Sequence, residues 1–352
     1  MRKLSRRKQS SFTRFQISLD TAGESAIVVA MNDQKCIVFA GNASKRLASE
    51  IAPTSPPAIY SDIINGKIHH QQFPSGEWYC QLQENVRGAD VFLLQSVIKP
   101  ANDNLMQLLI MADAARRASA GRITAIVPYM GYSRQDRKDK SRVPISAKLV
   151  MNILQTAGVD RYVTMDLHAQ QIQGFTDLPF DHLYFQPVLM EAMKHIDIDV
   201  VCSPDIGGIK KAVEYAKKVK KEFAFVVKQR KDETTVEVIQ FVGNVKDKGV
   251  LIVDDLTESA GTLIAGAKEC RVNGAKKIYC AVTHACLDTL GISRLDEAYK
   301  SGVIDKFYCS DTVIDPKTLE LFEWATVVSI KDIFGKAIHA IHNNQSISSL
   351  FS

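Results

Sequence analysis

From residue 36 onward, short apolar runs alternate with longer stretches whose apolar positions recur every three or four residues. The apolar runs fall at 36–40, 91–95, 123–129, 162–165, 200–202, 223–227, 250–253, 278–282 and 327–330. Helical periodicity occupies 104–120, 146–157, 207–219 and 259–273. Runs this apolar and this short predict strands buried on both faces. The helices between them predict parallel sheets covered on each side, an α/β fold. The number of strands is that of two such units, and 352 residues exceed one ordinary core. The periodicity breaks over 180–187, so the units are expected at 31–182 and 183–352. No direct repeat relates them.

Composition changes this picture little. Apolar residues make up 46% and charged residues 24%, the balance of a soluble globular protein. No apolar run nears the roughly 18 residues of a membrane span, so no membrane partner is expected. The formal net charge of +5 suits small anions and does not call for nucleic acid. Seven scattered cysteines without a C-x-x-C read as reduced thiols in a cytoplasmic setting. Residues 1–30 differ. Arg2, Lys3, Arg6, Arg7, Lys8 and Arg14 precede the first acid, Asp20. A disordered basic tail, or a start assigned ahead of Met31, is the preferred reading. An organellar transit peptide is the alternative.

The most informative stretch joins the run 250–253 to Asp254-Asp255-Leu256-Thr257-Glu258-Ser259-Ala260-Gly261-Thr262. An apolar strand is expected to end in two acids, with a helix opening at Ser259. Ligands of parallel sheets sit outside the carboxyl ends of strands. Unpaired N–H groups at a helix start favour phosphate. Carboxylates cannot serve that phosphate, but they can accept hydrogen bonds from sugar hydroxyls or hold a metal. The combination reads as a sugar-phosphate site: Asp254 and Asp255 toward ribose hydroxyls; Ser259, Gly261 and Thr262 toward the 5-phosphate. The plainer alternative, Ser259 as a helix cap, leaves the paired acids unexplained.

Three further segments carry chemistry. The loop 132–142 holds five basic groups against two acids and no apolar residue after Tyr132. It is expected to be mobile, either closing over a triphosphate or simply solvated. His168 and Asp205 each follow a strand and are candidate metal contacts; a structural histidine and a helix-capping acid are the alternatives. Lys228 and Arg230 lie two apart, on one face of an extended segment. They are candidates to face a transferring phosphoryl group, against a solvated strand end. No P-loop motif is present.

Together these segments resemble ribose-phosphate pyrophosphokinases from about residue 36 onward. The likeness is carried by Glu84-Asn85-Val86-Arg87-Gly88, Ala101 to Met106, Arg134 to Lys148, Thr164 to Phe175, Ser203 to Gly208 and Val253 to Thr262. The resemblance implies two phosphoribosyltransferase-like domains. It also implies Mg²⁺-dependent attack of the anomeric hydroxyl of ribose 5-phosphate on the β-phosphorus of ATP. By position it implies adenine contacts from Phe73, Ser75 and Glu77 of a neighbouring subunit. It implies ATP contacts at Arg134 and Gln135, Mg²⁺ at His168 and Asp205, and transition-state cations at Lys228 and Arg230. The ribose-phosphate loop would comprise Asp254, Asp255, Glu258, Ser259, Ala260, Gly261 and Thr262. It further implies a homo-oligomer, commonly a hexamer, with phosphate and ADP as effectors. Their site would be Asn85, Arg87, Ser119, Arg142, Ser346 and Ser348. The chain departs from the pattern at Glu258, where the family usually has Asp, at Ser75, at Asn85, and after His284. The extra methylene of Glu258 is expected to weaken ribose binding. A non-catalytic regulatory relative and a phosphoribosyltransferase that consumes phosphoribosyl pyrophosphate are the competing functions.

Overall fold

The computed structural model describes residues 14–15, 30–31, 34–52, 61–230 and 237–350. The tail expected over residues 1–30 lies outside the described residues except at Arg14–Phe15 and Ala30; Arg14–Phe15 pairs antiparallel with Ala30–Met31.

The first unit runs β1 (Cys36–Ala40), α1 (Lys45–Ile51), β2 (Ile63–Asn65), β3 (Ile68–Gln72), β4 (Trp78–Leu82), β5 (Asp90–Leu94), α2 (Ala101–Arg117), β6 (Arg122–Val127), α3 (Ser146–Ala157), β7 (Arg161–Met165) and β8 (Phe180–Leu183). The second runs α4 (Gln186–Ala192), β9 (Val200–Ser203), α5 (Ile209–Val219), β10 (Glu222–Arg230), β11 (Glu237–Val242), β12 (Gly249–Thr257), α6 (Gly261–Val272), β13 (Lys277–Ala285), α7 (Thr289–Lys300), β14 (Lys306–Ser310), α8 (Pro316–Leu319), β15 (Ala325–Val328) and α9 (Lys331–His342). The first sheet has the order β8-β7-β6-β5-β1-β2 and is parallel throughout. The second has the order β11-β10-β9-β12-β13-β14-β15 and is parallel except for β11 at its edge. β3 and β4 form a separate antiparallel hairpin.

Several expected boundaries move. The break over 180–187 conceals an edge strand, β8, in register with β7. Asp181 and His182 interrupt its apolar character, so no run marked it. β12 continues past Val253 to Thr257 because its ladder with β13 holds through Asp254 and Leu256. β10 continues to Arg230 because β11 pairs with it. α2 begins after Pro100, earlier than expected, and ends before Ser119, which takes a positive φ of 62°.

In each sheet the strand order reverses once, between β5 and β1 and between β9 and β12. Loops leave those strand ends in opposite directions, and a crevice opens between them. In the first unit the crevice is filled. Gln95 lies so close to Gly41 that a Cβ there would come within 2.4 Å of its side chain. Gln95 Oε1 accepts from the Ala43 N–H at 3.1 Å, and its Nε2 donates to Asn104 Oδ1 at 3.0 Å. In the second unit the crevice is open.

The two units share a core. Leu47, Ala48 and Ile51 of α1 belong to one buried apolar cluster with Phe334, Ile338 and Ile341 of α9. The C-terminal helix, expected with 183–352, therefore packs back onto the first unit. No helix among the described residues is long and apolar enough to cross a membrane.

Candidate active site

The open crevice is part of a cavity of about 830 Å³. The second unit supplies Asp205, Gly207, Gly208 and Lys211 after β9, and the residues from Asp254 to Thr262 around the end of β12. The first unit supplies the loop from Arg134 to Asp139 and the segment from Asp166 to Gln171 after β7. Segments distant in sequence thus converge on one volume.

The β12–α6 connection has the local geometry of an anion seat. Ala260 takes the left-handed conformation (φ 56°), and its N–H donates to Thr257 Oγ1 at 3.1 Å. The helix starts at Gly261 with no side-chain cap. Ser259 is therefore not a capping residue, and the expected helix start moves by two positions. The first N–H groups of an α-helix have no intrahelical partner, so an uncapped start offers them to an anion.

From behind, the connection is braced by the segment after His284, where the sequence departs from the family pattern. Asp288 N–H donates to the Glu258 carbonyl and Arg294 Nη1 to the Ser259 carbonyl, both at 3.4 Å. Gly291 lies so near the Glu258 carbonyl that a Cβ would come within 2.3 Å of it.

The two acids differ in state. Asp255 is hydrogen-bonded to His168 Nδ1 at 2.7 Å. Burial alone would raise its pKa, but His168, Lys211 and Asp254 outweigh burial and hold it below the usual carboxylate range. Asp254 accepts from the Asp255 N–H at 2.9 Å. Burial, reinforced by the neighbouring Asp255 charge, pushes its pKa up. The His168 pKa is raised, chiefly by its hydrogen bond to Asp255.

The basic loop is more tethered than its sequence predicts. Arg134 pairs with Glu258 at 3.0 Å, Gln135 accepts from Ser146 Oγ at 2.5 Å, and Asp136 accepts from Gln171 Nε2 at 3.0 Å. Glu258 thus directs its extra methylene toward Arg134. Asp205 Oδ1 accepts from the Gly208 N–H at 3.0 Å and closes the turn ahead of α5, which starts at Ile209 with no side-chain cap, and the residue lines the cavity.

Other expected residues lie elsewhere. Lys228 and Arg230 fall within β10, on its extension past Ser203, the last residue of β9. Their side chains lie outside the described residues. Phe73, Ser75 and Glu77 form the exposed tip of the β3–β4 hairpin and do not line the cavity. There Ser75 Oγ donates to Glu77 Oε2 at 2.7 Å. Asn85, Arg87 and Ser119 meet: Asn85 Oδ1 accepts from the Arg87 N–H at 3.1 Å, and Arg87 Nη1 donates to Ser119 Oγ at 3.4 Å. Among the described residues, no hydrogen bond or ion pair joins Arg142, Ser346 or Ser348 to that group. Ser346 Oγ accepts from the Ser348 N–H at 3.1 Å.

Among the cavity residues that sequence reasoning missed are Asp166, His182 and Lys211. Asp166 accepts a hydrogen bond from Thr283 Oγ1 of the second unit. His182 Nε2 accepts from the Leu167 N–H at 2.9 Å and orders the turn before His168. Lys211 sits in the first turn of α5, where the helix dipole disfavours a cation. That placement was a legible signal.

A parallel sheet with an open crevice, an acidic strand end and an uncapped helix start is the arrangement of the phosphoribosyltransferase class. Residues 188–306 match the family described as phosphoribosyl transferase domain. Residues 36–158 match the N-terminal domain of ribose phosphate pyrophosphokinase. The chain is 42% identical over 350 residues to "Ribose-phosphate pyrophosphokinase 1" of Spinacia oleracea, spanning 97% of this chain and 99% of that one. It is 40% identical over 328 residues to "Ribose-phosphate pyrophosphokinase 2, chloroplastic" of Arabidopsis thaliana, spanning 92% and 79%. The crystal structure of phosphoribosylpyrophosphate synthetase from Mycobacterium smegmatis matches with a TM-score of 0.80 at 36% identity, covering 88% of this chain and all of that one. The chain belongs to the ribose-phosphate pyrophosphokinase family.

Proposed function

We propose that this chain transfers the pyrophosphoryl group of ATP to the anomeric hydroxyl of ribose 5-phosphate. The hydroxyl oxygen bonds to the β-phosphorus and gives up its proton. The bond from the β-phosphorus to the oxygen shared with the α-phosphate breaks, and AMP leaves with that oxygen. The products are phosphoribosyl pyrophosphate and AMP, for nucleotide biosynthesis. One observation carries the reading: Asp254, Asp255 and the uncapped start of α6 share a cavity with Arg134, Gln135 and His168.

The roles follow from the chemistry of each group. Asp254 and Asp255 accept from ribose hydroxyls, and the N–H groups at Gly261 and Thr262, with the Ser259 and Thr262 hydroxyls, take the 5-phosphate. Arg134 and Gln135 hold the ATP phosphates, with Lys228 and Arg230 toward the transferring group. Phe73, Ser75 and Glu77 reach adenine in a neighbouring subunit, which their exposure at a hairpin tip permits.

Mg²⁺ fits the donor set. Among the described residues, no cluster of three or more His, Cys, Asp or Glu side chains is arranged to hold a metal. Mg²⁺ bound to a nucleotide needs only one or two protein ligands, the rest being phosphate oxygens and water. Asp205 and His168 would supply them. When bound, the ion neutralises phosphate charge. A cytoplasmic homo-oligomer, hexameric and responsive to phosphate and ADP, completes the reading; an organellar location is the alternative if residues 1–30 direct import.

The test is AMP release with ATP, Mg²⁺ and ribose 5-phosphate. AMP and phosphoribosyl pyrophosphate should appear one for one, and neither should form without the sugar. A protein that binds ATP but releases no AMP would be the regulatory relative.

A further inference from the structure

Lys211 lines the cavity from the first turn of α5, and its ammonium nitrogen is buried with no hydrogen-bond partner among the described residues. Two costs attach to that placement. A buried cation without an acceptor is strongly disfavoured. The amino end of a helix carries partial positive charge, and Lys210 stands beside Lys211 there. A cation kept in a cavity against both costs needs an anion that arrives with the ligand.

The neighbouring acids do not fill that need. Asp255 is hydrogen-bonded to His168 and Asp254 to the Asp255 amide, and neither accepts from Lys211. The cation lines the same cavity as the acids that take the ribose hydroxyls. The 5-phosphate has its own seat at the start of α6. Arg134, another cation lining the cavity, is engaged by Glu258.

We propose that Lys211 Nζ is a substrate-contacting residue that donates to a phosphoryl oxygen of the pyrophosphoryl group as it passes from ATP to the sugar. This rests on the reading of the cavity as a pyrophosphokinase site. The part of Lys211 is to meet the charge that develops on the transferring oxygens.

Steady-state kinetics and thermal unfolding of the full chain test this with Lys211→Met and Lys211→Arg. Methionine keeps the length and apolar bulk of the stem and removes the unpaired charge. Lys211→Met should therefore unfold at or above the wild-type temperature, while kcat falls on the order of 10²-fold. Lys211→Arg should keep kcat within about tenfold, because the charge is restored. Three results would overturn the proposal: a Lys211→Met kcat within about threefold of wild type, a loss confined to KM for ribose 5-phosphate, or a variant that unfolds early. The second would make Lys211 a 5-phosphate contact, and the third would make the charge a structural one. A wild-type protein that releases no AMP would instead remove the functional reading itself.

Discussion

Glu258 shows what a single methylene does when its direction is known. From the sequence it is an intrusion into the sugar's volume. In the structure it spans to Arg134 at 3.0 Å and ties the β12–α6 connection to the basic loop. Both side chains are about half exposed, so the pair is worth at most about 1 kcal/mol. On the function proposed above, the pair holds Arg134, a candidate ATP contact, in place before ATP arrives. Glu258→Asp is too short to keep that contact. It should raise KM for ATP by about two- to fivefold, with KM for ribose 5-phosphate unchanged. A KM for ATP that stays level or falls would show that the pair does not preposition Arg134. This link was illegible in sequence, as was the bond between His168 and Asp255, which stand 87 positions apart. Spacing rules connect residues of one element, and these pairs are made by the meeting of loops. The paired acids and Gly261-Thr262 were legible because one strand–turn–helix carries them all.

Elements with strong local signals were read correctly. α3 has four buried positions at helical spacing (Ala147, Val150, Met151 and Leu154) and a left-handed Gly158 at its end. β1 is buried at every position. Elements without such signals were missed. β3 reads Ile-His-His-Gln-Gln and is nowhere fully buried, so neither an apolar run nor alternation marked it. β8 is the instructive case, because its polar residue has a task. His182 is 7% exposed and accepts from the Leu167 N–H, and burial pushes its pKa down to about 4. The unfolded chain protonates this histidine near pH 6.5, and the folded protein does so only near 4. Stability from this group is thus complete above pH 6.5 and is lost as pH falls toward 4, by on the order of 3 kcal/mol. His182→Gln, which keeps an acceptor but does not titrate, should flatten the fall of the urea midpoint across that window. An unchanged slope would show that His182 is not the group being protonated.

At the scale of the whole molecule, the two units are joined more firmly than two sequential domains need be. Asp90 is fully buried in the first unit. It is paired with Arg122 and lies 3.0 Å from His342 of α9. Burial would raise its pKa, but Arg122 and His342 outweigh burial and hold it low. Arg122 also donates to the Ile341 carbonyl at 2.9 Å, and Arg46 of α1 pairs with buried Asp311 at 2.8 Å. Removing Arg122 leaves buried Asp90 with His342 as its remaining partner, so Arg122→Ala should cost about 1.5–3 kcal/mol in denaturant unfolding. A loss below about 1 kcal/mol would mean that α9 is held by apolar packing alone. The α/β class and the existence of two units were legible from strand and helix alternation. The return of the last helix to the first unit was not, since sequence order carries no such information. This clasp fixes both halves of a cavity in which, on the present account, the sugar is the nucleophile and ATP the electrophile. Rapid-quench turnover of ribose 5-phosphate labelled with ¹⁸O at the anomeric hydroxyl tests that assignment most directly. The account predicts that the label bridges C1 and the β-phosphorus in the product, with none in AMP. Product whose bridging oxygen lacks the label, or release of ADP in place of AMP, would contradict it.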